Sequence, residues 1–147
     1  MRVLKIFPIL LALYEVVTYL SNDMYLPALP QLANDLHTTN ALAQLSLTTW
    51  FLGAASMQLI LGPISDRYGR KPVLLIGGIF FVIATLICAM TPDMTTMLIA
   101  RFFQGCAVCS VTVAGYATIH ELYDQKAAMK ALALMGSITV LAPAFGP

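Results

Sequence analysis

The feature that most constrains this chain is a series of long apolar runs joined by short polar loops. Five runs can be drawn, at about residues 6–29, 43–64, 73–90, 97–119 and 131–147. A helix needs roughly 20 apolar residues to cross a bilayer, so four runs are long enough and the fifth is short. Of the 147 residues, 59% are hydrophobic and only 10% are charged, against roughly 25% charged in a soluble domain. One soluble core could not hide that much apolar surface. The expected fold class is all-α, a polytopic transmembrane helix bundle in one incomplete N-terminal domain covering 1–147, with four complete helices and part of a fifth.

Charge fixes the expected topology. Arg2 and Lys5 precede the first run, Arg67, Arg70 and Lys71 lie between the second and third, and Lys126 and Lys130 lie between the fourth and fifth. The other two loops carry Asp35, His37 and Asp93 but no Lys or Arg. Basic loops stay in the cytoplasm, so the N-terminus is expected inside. The apolar first run after Arg2 and Lys5 has the look of a signal peptide. Glu15 interrupts it, however, and no small-residue cleavage site follows, which favours an uncleaved first helix. A net charge of +1 gives no sign of nucleic acid as a partner; the lipid bilayer is the expected one. Cys88, Cys106 and Cys109 sit inside apolar runs and suit neither a disulfide framework nor a zinc site. No nucleophile–base pair, metal cluster or phosphate loop points to an enzyme.

Ionisable residues inside these runs are the candidates for chemistry, because each costs about 2.5–3.5 kcal/mol to insert. They are Glu15, Asp23 and Arg101. A carboxyl group taken out of water favours its neutral form, so an acid that is dry in one state and wet in another can carry a proton. Glu15 fits that role in the inner half of the first helix. Asp23 follows it by eight residues, roughly 12 Å along the axis and about 80° around it, with Asn22 beside it. Arg101 stays charged in any plausible setting and needs a partner; Asp23, at similar depth, is the expected one. Gln104, one turn on, would join that network. Tyr14, Tyr19, Met24, Tyr25 and Trp50 offer aromatic or soft contacts. Gly105, Ala107, Ser110, Ala114 and Gly115 make the fourth helix small-sided, suited to close packing in lipid.

The second loop reads Gly62-Pro63-Ile64-Ser65-Asp66-Arg67-Tyr68-Gly69-Arg70-Lys71-Pro72. Its glycines suit a sharp turn and close helix approach, and Asp66 suits a helix start. This loop resembles the signature between helices two and three of major facilitator transporters, with Gly62, Asp66, Arg67, Gly69, Arg70 and Lys71 matching and Ile64 replacing the usual leucine. Arg101-Phe102-Phe103-Gln104-Gly105 is similar to the fourth-helix signature. Pro143, Gly146 and Pro147, within Ala142–Pro147, match the start of the antiporter signature of helix five. Leu13-Tyr14-Glu15, Asn22-Asp23-Met24, Leu26-Pro27, Tyr116 through Glu121 and Ala133-Leu134-Met135 narrow the resemblance to MdfA-type multidrug:proton antiporters, with Bcr-type drug exporters next.

The resemblance implies part of the N-terminal half of a twelve-helix fold in the bacterial inner membrane. It implies efflux of lipophilic or cationic drugs by alternating access, with protons as coupling ion and no other cofactor. Glu15 and Asp23 would handle protons and cationic substrates, Arg101 would share their network, and Asp66 would latch the two halves on the cytoplasmic side. The missing C-terminal half would be needed for activity. Ending inside a helix, the chain also suits a truncated, transport-inactive membrane fragment or a small membrane interaction protein. A major facilitator transporter of another small molecule is a third reading.

Overall fold

The structure, a computed structural model, describes the backbone of residues 2–141 and the side chains of residues 6–137. Every regular element among them is helical. The order is α1 (Arg2–Asp23), α2 (Leu29–Asp35), α3 (Asn40–Tyr68), α4 (Arg70–Met90), α5 (Met94–Ser110), a π-helical turn (Val111–Gly115), α6 (Tyr116–Leu122) and α7 (Gln125–Leu141). Three helical stretches are long and apolar enough to cross a membrane: Asn40–Tyr68, Arg70–Met90 and the continuous run Met94–Leu122. The shortest has 21 residues, about 31 Å of helix, which matches a hydrocarbon core of about 30 Å.

Burial is inverted relative to a soluble protein. Leu59 is 83% exposed and Met90 82%, while Glu15 is 3% exposed, Arg101 5% and Gln104 1%. Apolar side chains facing out and polar ones turned in suit a lipid solvent. The protein is membrane-embedded.

Helix ends explain where the sequence-based boundaries shift. The first helix was expected to run to about residue 29, but α1 stops at Asp23 and residues 24–28 form turns. Pro27 has no N–H to continue the ladder and disfavours helical backbone at Leu26. Pro30 then sits in the first turn of α2, where a missing N–H costs nothing; that short helix occupies part of the expected loop after residue 30. Thr39 caps α3 by accepting from the Leu42 N–H at 3.3 Å. Between α3 and α4 the expected loop shrinks to Gly69, at φ 95°, a left-handed geometry cheap only for glycine. The Gly69 N–H still reaches the Ser65 carbonyl at 3.1 Å. Asp93 caps α5, accepting from the Thr96 N–H at 2.7 Å and its hydroxyl at 2.8 Å. These bonds, backbone first, hold the Asp93 carboxyl below the usual carboxylate range. Its cap is therefore complete at neutral pH and is lost only as pH falls through that lowered value. Helix α7 starts at Gln125 rather than near 131, so Lys126 and Lys130 belong to its first turns.

The chain divides into two compact units: Ala28–Ala114, and Met1–Pro27 with Gly115–Pro147. In the first, α5 packs against both α3 and α4. The α3–α5 crossing is a reciprocal glycine contact. A Cβ on Gly105 would run into the Trp50 carbonyl oxygen, and one on Gly53 into the Phe102 carbonyl oxygen. The Cys109 thiol donates to the Ala54 carbonyl at 2.8 Å across the same seam. Gly77 of α4 lies against the Ser110 side chain. The small residues of the fourth apolar run thus face its neighbours, as close packing in lipid requires. In the second unit, α1 and α6 both pack on α7, and Gly115 lies beneath the Leu11 side chain.

Gly105→Leu should lower unfolding stability in detergent by about 1–3 kcal/mol or more, the cost of overpacking a tight seam. Gly136→Ala, where a Cβ would meet nothing within 4 Å, should leave stability unchanged or raise it. Equal thermal midpoints for both variants would contradict the glycine seam.

Candidate functional site

In the unit that holds α1, one face of that helix is polar inside an apolar sequence. Glu15, Thr18 and Asn22 are all buried and follow one another at spacings of four and three residues once Leu11 is included: 11, 15, 18, 22. That spacing defines a single stripe. The Thr18 hydroxyl donates to the Glu15 carbonyl at 2.7 Å, which satisfies Thr18 within its own helix. The Glu15 carboxyl reaches outward, and its Oε1 accepts from the Tyr116 hydroxyl at 2.5 Å. Among the described residues its Oε2 is buried with no hydrogen-bond partner, as is Asn22 Oδ1. The stripe presents unused acceptors where unsatisfied polar atoms are costly. Tyr25 is also buried, whereas Met24 is exposed.

Asp23 is the last residue of α1 and is half-buried. A carboxylate at a helix C-terminus meets the negative end of the helix dipole, so its position favours a cationic partner. Arg101 belongs to the other unit.

There the Arg101 guanidinium is buried in the second turn of α5 and starts a directed relay. Its NH1 donates to Gln104 Oε1 at 2.9 Å, Gln104 Nε2 donates to Thr85 Oγ1 at 2.8 Å, and the Thr85 hydroxyl donates to the Phe81 carbonyl at 2.7 Å. The relay ties α5 to α4 and gives the charge a hydrogen-bonded exit into the backbone. Hydrogen bonds to a charged group contribute about 1.5–3 kcal/mol, comparable to what inserting the charge costs. Trp50 is buried with its carbonyl at the glycine seam, so it is a packing residue in α3.

The hairpin between α3 and α4 places its motif residues at the helix ends. Asp66 was expected at a helix start; it lies instead in the last turn of α3 and pairs with Arg70 at 2.5 Å. Arg70 also donates to the Ser65 hydroxyl, and Ser65 is buried. With Asp66 64% exposed, the pair contributes roughly 0–1 kcal/mol and orients the turn more than it stabilises it. Arg67 lies over the Tyr68 ring at 5.4 Å, and Lys71 is exposed. Gly69 supplies the turn. Gly62 meets nothing within 4 Å where a Cβ would stand, so the expected close approach does not occur there among the described residues. Pro143, Gly146 and Pro147 lie outside the described residues.

Sequence reasoning missed Thr18, Thr85 and Tyr116 as site residues. Thr18 was visible in principle from the stripe spacing. Thr85 and Tyr116 were not, because their partners lie 19 and 101 residues away.

A family model for the Major Facilitator Superfamily matches residues 11–147. The chain is 38% identical over 141 residues to a "Multidrug resistance protein MdtM" of Salmonella typhimurium, covering 96% of this chain and 34% of the relative. It is 35% identical over 142 residues to a "Multidrug transporter MdfA" of Edwardsiella piscicida, covering 97% and 35%. It is 38% identical over 146 residues to a "Chloramphenicol resistance protein CraA" of Acinetobacter baumannii, covering 99% and 35%. The chain thus spans about a third of the length of the curated relatives it matches.

Gln104→Leu takes one acceptor from the buried guanidinium and one donor from Thr85. Unfolding stability should fall by about 1–3 kcal/mol. A variant as stable as the parent would show that the relay carries no weight.

Proposed function

Because the chain belongs to the major facilitator superfamily, we propose that its helices form part of a proton-coupled exporter of lipophilic and cationic drugs. The observation that carries this reading is Glu15: a carboxyl 3% exposed in an apolar helix, held by a neutral donor, with one oxygen that has no hydrogen-bond partner among the described residues. Burial favours the neutral form of a carboxyl group and hydration the charged one, so access of water can switch its charge. Release of the proton leaves an anion that a cationic drug neutralises, so proton and drug compete for one carboxylate. Relatives named as multidrug resistance protein, multidrug transporter and chloramphenicol resistance protein support the substrate class.

In this reading the transporter works by alternating access, with its second half forming the opposite wall of a midplane passage. Helices α1 and α7 cross the bilayer as the three more apolar spans do. The basic residues of the α3–α4 hairpin and of the start of α7 face the cytoplasm, as does the N-terminus. The membrane is the bacterial inner membrane. The Asp66–Arg70 pair belongs to the surface that latches the two halves. Asp23, next to Asn22 in the chain, and Arg101, bonded to Gln104, both serve the proton-linked chemistry. No cofactor other than the coupling proton takes part.

In a complete transporter carrying this sequence, Glu15→Gln should abolish proton-driven export of a cationic dye at normal protein level; undiminished export would reject the coupling role.

A further inference from the structure

The proton-carrying reading of Glu15 leaves open which of its oxygens takes the proton and what decides it. The two oxygens differ. Oε1 accepts from the Tyr116 hydroxyl at 2.5 Å, whereas Oε2 is buried with no hydrogen-bond partner among the described residues. We infer that Tyr116 is a positioning residue for Glu15: it holds Oε1 in both charge states and so assigns the exchangeable proton to Oε2.

The local chain accounts for Tyr116 being where it is. It is the first residue after the π turn Val111–Gly115. That turn contains three consecutive β-branched residues, Val111, Thr112 and Val113, which crowd an α-helix. The Thr112 hydroxyl bonds back to the Cys109 carbonyl at 3.2 Å, a contact that loosens and bends helices. A π turn holds one residue more than the α turn it replaces, and Tyr116 is the residue at which α-helical geometry resumes. Gly115, just before it, admits the Leu11 side chain, whose methyl would stand 2.7 Å from any Cβ there. Leu11 is one turn before Glu15 on the same stripe, so this contact lies beside the carboxyl–phenol bond without making it.

The chemistry follows from the donor being neutral. With Glu15 ionised, the phenol donates to a carboxylate oxygen. When a proton arrives from water in the passage, it forms an O–H bond at Oε2, the site carries one negative charge fewer, and Oε1 becomes a carbonyl oxygen that still accepts from Tyr116. On release the proton leaves from Oε2 to water. Tyr116 keeps its own proton throughout, since a phenol ordinarily titrates near 10. The ionisable groups around this exchange are Tyr116 on α6, and Tyr19 and Asp23 further along α1.

The test is infrared difference spectroscopy between acid and alkaline pH on the purified 147-residue chain in lipid nanodiscs. Subtraction of the Glu15→Gln spectrum isolates the protonated Glu15 carbonyl stretch. In Tyr116→Phe, which keeps the ring and loses only the hydroxyl, that band should move to higher frequency, because its carbonyl oxygen has lost a hydrogen bond. In Leu11→Ala, which loosens the packing and keeps the donor, it should stay within the hydrogen-bonded range. An unmoved band in Tyr116→Phe overturns the positioning role and leaves the proton-carrying reading intact. Absence of any Glu15 band in the parent overturns that reading, and this inference with it. Should Tyr116→Phe fail to fold, tyrosine labelled on the ring in the parent chain provides the same test. One tyrosine C–O band should change as Glu15 titrates, and a constant tyrosine spectrum would overturn the inference.

Discussion

An N–H or C=O group left without a partner in hydrocarbon costs several kcal/mol, and the form of this chain follows from that cost. It allows helices and almost nothing between them. The break between α3 and α4 is one glycine, whose N–H is still satisfied by Ser65. The break before α5 is three residues, closed by the Asp93 cap. Pro27 follows the end of α1 and Pro30 stands in the first turn of α2, whereas Pro8 and Pro63 lie within α1 and α3, where each removes one ladder donor. Lipid also offers no hydrophobic force to hold helices together. The glycine seam between α3 and α5 supplies close van der Waals contact instead, backbone against backbone.

The same solvent makes polar side chains conspicuous. Glu15 and Arg101 each cost about 2.5–3.5 kcal/mol on insertion scales, and their hydrogen bonds recover an amount of the same order. Stability alone would therefore not retain them; an apolar residue of similar volume would serve about as well. The two are handled differently. Arg101 is led by Gln104 and Thr85 into a backbone carbonyl, an arrangement that fixes a permanent charge. Glu15 accepts from one neutral hydroxyl, and among the described residues its second oxygen has no hydrogen-bond partner.

What could be read from the sequence divides along the same line. Glu15, Arg101 and the basic hairpin are visible because a charge inside or beside an apolar run departs from its background. Gln104 was legible as the residue one turn beyond Arg101. Thr85 and Tyr116 were not, since a threonine or tyrosine in an apolar run is ordinary and only the fold brings it to its partner. The π turn was hidden for a related reason: Val-Thr-Val reads as one more apolar stretch, and its crowding decides between α and π only within the packed helix. Boundaries failed where side-chain polarity misled. Lys126 and Lys130 look like loop residues, yet they occupy helical turns. Asp66 has the composition of a cap, yet one glycine makes the turn and leaves it to pair with Arg70.

Among the described residues the donor to the Glu15 carboxyl is a neutral phenol and not a cation, and this bears on the proton cycle proposed for it. An ion pair stabilises only the charged form, and leaving one member of a buried pair alone costs about 3–5 kcal/mol, so each protonation would work against that sum. A phenol can donate to a carboxylate and to the carbonyl of the neutral acid, more strongly to the former because a hydrogen bond to an ion is the stronger kind. In the proposed cycle it therefore keeps the group in place in both states, with a bias toward the anion smaller than that of a buried ion pair. With a tyrosine at the head of α6 as donor, the acid stays buried and, in the proposed cycle, keeps its second oxygen for the exchanging proton.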